Sequence, residues 1–162
     1  MDVLSFEPLV GLLADQLRAR GWRMAAAESC TGGLIAAACT SLAGSSDWFE
    51  RGFVTYSNEA KAELLGVDPA LIQSHGAVSE EVARAMAAGA LQRAPVQLTV
   101  AVTGIAGPGG AVPGKPVGTV WLAWATAKGV QAERLQLDGG RDAVRGATVR
   151  AALQRLLEEA TP

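Results

Sequence analysis

The sequence predicts a single three-layer α/β/α domain, with a mixed, mainly parallel sheet that ends in a hairpin. Three observations predict it. Short β-forming runs alternate with stretches whose apolar residues recur at helical spacing. That order implies parallel strands with helices packed on the sheet. Two late β-forming runs are separated only by Lys128-Gly129, which adds an antiparallel hairpin. The 162 residues show no internal repeat and no linker, and the length suits one domain.

Each element has a local reason. Ser5 to Arg20 reads as a helix, with Ser5 as cap, Pro8 tolerated in the first turn, and a stripe of Phe6, Leu9, Val10, Leu13 and Leu17. Gly21 is a natural stop. Trp22 to Glu28 is short, apolar and bounded, and reads as a strand. Thr31 to Leu42 returns to helix, ended by Gly44. Arg51 to Ser57 is rich in β formers and reads as the second strand. Asn58 caps a short helix that runs to Leu65 and stops at Gly66. Asp68-Pro69 opens a further helical turn. Ser79 to Arg93 is helical, with Glu80 and Glu81 where the dipole favours acids. Gln97 to Thr103 is a strand, Gly104 to Pro116 a Gly/Pro-rich loop, Val117 to Ala127 and Val130 to Leu137 the hairpin, and Arg141 to Glu159 the closing helix.

Composition narrows the function. Lys and Arg number 14 and Asp and Glu 16, so the net charge is −2. That is a poor start for a duplex nucleic-acid binder, which normally shows a basic face. One His and two Cys cannot furnish the usual zinc ligand set. Asp and Glu could still hold a hard metal such as Mg²⁺. The longest apolar run, Val117 to Ala127, has 11 residues, short of the ~20 that cross a bilayer. The first twenty residues lack the pattern of a signal peptide. Cys30 and Cys39 fall nine residues apart on one expected helix, about 13 Å at ~1.5 Å per residue, too far for a disulfide. A reduced cytoplasmic protein without membrane contact is the simplest expectation.

In such sheets, ligands sit outside the C-terminal ends of the parallel strands. The loops after Glu28, Ser57 and Thr103 are therefore the ones to read. In the first, Ser29-Cys30-Thr31-Gly32-Gly33 joins a strand end to a helix start. Free backbone N–H groups there suit an oxyanion beside a nucleophilic Ser29. The same residues also suit a plain helix cap, and Thr31 can cap while Ser29 faces a site. In the second loop, Asn58 as cap makes Lys61 the third helical residue, where the helix dipole disfavours a cation. A lowered pKa suits a general base, and Tyr56 stands beside it; a solvated lysine is the plainer alternative. A Ser–Lys pair activates a hydroxyl without histidine. His75 lies in a polar turn and reads as structural or superficial.

The third loop, Thr103-Gly104-Ile105-Ala106-Gly107, is small enough for a ligand to approach its backbone. Gly109 to Lys115 imitates the front of a Walker A motif, but Pro116 stands where Ser or Thr would hold Mg²⁺. Arg141 and Arg145, at i and i+4 near a helix start, suit a phosphate or carboxylate, or else a solvated face. Trp121 and Trp124 fall on opposite faces of their strand.

Four stretches together carry a family resemblance: A-E-S-C-T-G-G at 27–33, G-S-S-D-W-F-E-R-G-F-V-T-Y-S-N-E-A-K at 44–61, H-G-A-V-S-E at 75–80, and T-G-I-A-G-P-G-G with K-P-V-G-T-V within 103–120. They resemble the C-terminal domain of the CinA (competence/damage-inducible) family across residues 5–160. The resemblance implies an α/β/α domain that is usually a homodimer. It implies hydrolysis of the carboxamide of nicotinamide mononucleotide to nicotinate mononucleotide and ammonia, in pyridine nucleotide (NAD) salvage, without metal or cofactor. By position it implies Ser29 as nucleophile, Lys61 as its general base and Tyr56 in support. It also implies phosphate and ribose contacts from Thr103 to Gly107, Arg141 and Arg145, beside which Cys30, Thr31, Gly32, Gly33 and Asn58 are candidates for oxyanion or substrate binding. A non-catalytic nucleotide-binding or sensing module of the same family is the rival expectation. A DNA-processing role is disfavoured by the charge.

Overall fold

The computed structural model describes all 162 residues. Its elements are α1 (Glu7–Arg20), β1 (Met24–Glu28), α2 (Leu34–Thr40), β2 (Phe49–Val54), α3 (Asn58–Leu65), α4 (Pro69–His75), α5 (Glu80–Arg93), β3 (Leu98–Gly104), β4 (Thr119–Thr126), β5 (Gly129–Gln136) and α6 (Arg141–Ala160). The sheet order is β2-β1-β3-β4-β5. β1 runs parallel to β2 and to β3, whereas β4 and β5 are antiparallel additions.

Strand alternation separates two cores. Met24, Ala26, Val100, Val102, Leu122 and Trp124 face one side and pack with α1, α2 and α6. Ala27, Ala101, Ala123 and Ala125 face the other and meet α3, α4 and α5. Those four alanines keep the second face shallow, so α5 lies close to the sheet. On that face α5 also meets the end of α3 closely at Gly89, where a Cβ would stand 2.0 Å from the Leu65 carbonyl oxygen. This contact fixes the end of α3, the helix that carries Lys61.

The topology positions the site. From β1 the chain crosses by α2 to β2 on one side, then returns by α3–α5 to β3 on the other. The order therefore reverses between β1 and β3, and a crevice opens beyond their C-terminal ends. Glu28 pairs with Val102 at that end, so residue 29 and residues 103–104 emerge side by side.

Several expected boundaries shift, each for a visible reason. Ser5 does not cap α1: Asp2 caps a 3₁₀ turn over Val3–Phe6, and α1 starts at Glu7. β1 begins at Met24 rather than Trp22. β2 ends at Val54 rather than Ser57, because Thr55 leaves the ladder after one bond from its N–H to the Glu28 carbonyl, 2.8 Å. Ser57, not Asn58, caps α3, accepting the Ala60 N–H at 3.0 Å, so Lys61 is the fourth helical residue. α2 begins only at Leu34, so Cys30 lies in the preceding turn rather than on the helix with Cys39; both thiols are buried and unpaired. The hairpin turns at Ala127-Lys128. No helix is long and apolar enough to cross a membrane.

Candidate active site

Ser29 follows the last residue of β1. Its N–H donates to the Val102 carbonyl at 3.1 Å, which ties it to β3. The chain then turns sharply through Gly32 (φ +59°) and Gly33 (φ +105°), a backbone that L side chains avoid. The Gly32 N–H closes the turn on the Ser29 carbonyl at 3.1 Å. The N–H groups of Cys30, Thr31 and Gly33 meet no protein acceptor.

Thr31 does not cap α2. Instead the Glu28 carboxylate reaches over from the end of β1. It accepts the Ile35 N–H at 2.8 Å, the Ala36 N–H at 3.0 Å and the Thr31 hydroxyl at 2.6 Å. Glu28 is fully buried. The sequence reading missed it, although a glutamate inside an apolar run, just before a helix start, was a signal for a capping acid.

Lys61 rises from the first turn of α3 into the same space and is only 1% exposed. Its Nζ lies 2.9 Å from Ser29 Oγ, 2.9 Å from the Thr55 carbonyl and 3.2 Å from the Tyr56 carbonyl. No carboxylate pairs with it. Burial lowers its pKa from the ordinary lysine value, with a smaller opposing pull from the Cys30 thiol. A neutral amine has two N–H groups and one lone pair. The two carbonyls can only accept, so they take both N–H groups, and the lone pair is left to accept the Ser29 hydroxyl. A contact of this kind can draw the proton from a hydroxyl.

Ser29, Cys30, Tyr56, Asn58, Lys61, Thr103, Gly104, Ala106 and Arg141 line one open cavity of about 230 Å³. Ala77 and Val78, from the link between α4 and α5, complete the wall. That loop is fastened by the Thr103 hydroxyl, which donates to the Ala77 carbonyl at 2.9 Å. The sequence reading missed both residues, since neither carries functional chemistry. Burial pushes the Cys30 thiol up to about 11, so it stays protonated beside Ser29.

Other expected residues stand elsewhere. Thr31, Gly32, Gly33, Ile105, Gly107 and Arg145 are not part of the cavity wall. Arg141 and Arg145 diverge despite their i, i+4 spacing. Arg141 donates to the Gly107 carbonyl at 2.9 Å and to the Tyr56 phenol oxygen at 3.3 Å. Arg145 turns behind the Ser29 turn and donates to the Cys30 carbonyl at 3.1 Å and the Thr31 carbonyl at 3.3 Å. The Tyr56 phenol therefore meets Arg141, and only the Tyr56 backbone serves Lys61. His75 is outside this cavity, 3.6 Å from the Glu81 carboxylate. No cluster of three or more His, Cys, Asp or Glu side chains could hold a metal ion.

Known proteins share this arrangement of sequence and fold. Nicotinamide-nucleotide amidohydrolase PncC of Escherichia coli K12 is 54% identical over 148 residues, covering 91% of this chain and 90% of that protein. The protein of the same name from Pseudomonas putida is 52% identical over 149 residues, covering 92% of this chain and 93% of that one. A CinA-like protein of Syntrophobacter fumaroxidans is 52% identical over 147 residues, and the chain spans only 35% of its length. Among solved structures, the competence/damage inducible protein CihA of Agrobacterium tumefaciens superposes with a TM-score of 0.91 at 47% identity, covering 94% of both chains. A CinA superfamily protein from Escherichia coli superposes with a TM-score of 0.92 at 36% identity, over 98% of this chain and 92% of that one. The sequence model of the CinA C-terminal domain matches residues 7–160, and the chain belongs to that family.

Proposed function

We propose that this chain hydrolyses the carboxamide of nicotinamide mononucleotide to nicotinate mononucleotide and ammonia, a step in NAD salvage, through a Ser29–Lys61 dyad. The carrying observation is the 2.9 Å contact between Lys61 Nζ and Ser29 Oγ in a buried setting without a carboxylate. Support also comes from relatives named nicotinamide-nucleotide amidohydrolase that match this chain over nine-tenths of their length.

Neutral Lys61 takes the Ser29 proton as Oγ attacks the amide carbon. The carbonyl oxygen becomes an oxyanion, held by unoccupied N–H groups of the turn after Ser29. Protonated Lys61 then gives its proton to the amide nitrogen. The C–N bond breaks, ammonia leaves, and the nicotinoyl group stays esterified to Ser29. Water, relieved of a proton by Lys61, cleaves that ester and restores the dyad. Arg141 lines the cavity, and in this reading its guanidinium meets the nucleotide phosphate. A homodimer in a reducing, cytoplasmic setting completes the reading and fits the two unpaired cysteines.

Ammonia release from nicotinamide mononucleotide tests it. The wild type should turn over, and Ser29→Ala and Lys61→Ala should each lose at least about a hundredfold. Wild-type-like turnover in both variants overturns the dyad. Tight binding of the nucleotide with no ammonia points to a non-catalytic module instead. The mass in solution tests the dimer.

A further inference from the structure

The turn that carries Ser29 is gripped by two opposite charges, and neither belongs to the cavity wall. On one side, the buried Glu28 carboxylate gathers donors: the Thr31 hydroxyl and the Ile35 and Ala36 N–H groups. On the other, the Arg145 guanidinium gathers acceptors: the Cys30 and Thr31 carbonyls. In a trans peptide the C=O and the following N–H point in opposite directions. Holding the Cys30 carbonyl on Arg145 therefore aims the Thr31 N–H away from Arg145. The Ser29 carbonyl is likewise engaged, by the Gly32 N–H, which orients the peptide that carries the Cys30 N–H. These two N–H groups have no protein acceptor.

We propose that Glu28 and Arg145 are positioning residues that clamp the Ser29 turn, fixing its peptide groups so that the Cys30 and Thr31 N–H groups receive the oxyanion. This rests on Ser29 being the nucleophile. It gives Arg145 a role distinct from binding substrate, even though Arg141, one helical turn earlier on α6, faces the cavity. Two features favour a clamp over simple packing. The guanidinium contributes two donors, and both go to carbonyls of consecutive residues in this one turn. The carboxylate is placed at the end of β1, so the residue that caps α2 is also the residue bonded to the nucleophile.

Steady-state kinetics of ammonia release from nicotinamide mononucleotide, with Glu28→Gln and Arg145→Met, test the clamp. A donor mis-aimed at the oxyanion should lower kcat by about 10²–10³-fold. KM, and inhibition by nicotinate mononucleotide, should stay within about threefold, because the cavity wall is untouched. The limb of the pH profile that reports Lys61 should keep its position. Thr31→Val, which removes one bond to Glu28 and is milder for folding, should cost kcat about tenfold. Two results overturn the clamp: kcat within twofold of wild type in Arg145→Met and Thr31→Val, or a loss in Arg145→Met expressed as raised KM with kcat retained. Failure of the amidase reading shows separately, as no ammonia from the wild type or full turnover by Ser29→Ala.

Discussion

The amine of Lys61 meets the hydroxyl of Ser29 at 2.9 Å across 32 residues of sequence, with two backbone carbonyls as its only other partners. Such an amine is a base only when neutral. Burial lowers its pKa, so the neutral form appears below the ordinary lysine range. Turnover should rise with pH along a limb whose midpoint lies below that of an exposed lysine. Lys61→Arg, which cannot lose its proton, should abolish that limb and cost about 10²–10⁴-fold in kcat. A pH–rate profile of both proteins checks this.

The same shift links Lys61 to stability. Between its lowered folded pKa and its ordinary unfolded value, the unfolded chain binds more protons than the folded one. Stability contributed by this residue must therefore rise with pH through that window. Lys61→Met has no such dependence. Urea unfolding at several pH values should show the wild type gaining on Lys61→Met as pH increases toward the unfolded lysine value, and losing ground as pH falls.

Tyr56 separates backbone from side chain. Its carbonyl accepts from Lys61, while its phenol oxygen accepts from Arg141. Tyr56→Phe removes only the second contact. The Lys61 limb should therefore stay in place, and the effect should fall mainly on KM, by about tenfold or more for one hydrogen bond to a charged group. A displaced limb would assign the phenol to the base instead.

Two glycines in helices should respond oppositely to alanine. At Gly89 the added Cβ would stand 2.0 Å from the Leu65 carbonyl oxygen. Forcing α3 and α5 apart should destabilise the protein by about 1–3 kcal/mol and disturb the Lys61 helix. At Gly11, inside α1, the Cβ meets nothing within 4 Å. Gly11→Ala should stabilise by about 0.5–1 kcal/mol. Urea midpoints of the two variants check the contrast.

The layers and the strand–helix order were legible because period and punctuation are local properties, as at Gly21, Gly66 and Asp68-Pro69. Ser29 and Lys61 were legible because both follow strands whose C-terminal ends share one edge. What the sequence hid depends on direction in space. Nothing in the i, i+4 spacing of Arg141 and Arg145 says that one guanidinium turns to the cavity and the other to the back of a turn. Glu28 looked like the end of a strand, and its capping partners Ile35 and Ala36 lie seven and eight residues on. Ala77 and Val78 shape the cavity by position alone, so residue chemistry gave no warning of them.

One feature of the cavity wall has a use in measurement. Tyr56 is the only tyrosine in the chain, is 61% exposed, and lines the cavity. None of the four tryptophans does, and Trp48 and Trp124 belong to the core behind the sheet. The protein therefore carries two separate spectroscopic reporters. Indole fluorescence follows the cores on both faces of the sheet, since Trp121 packs on the opposite one, while a ring-labelled tyrosine yields a single resonance that belongs wholly to the site. Occupancy and unfolding can be followed in one sample, each through its own aromatic residue.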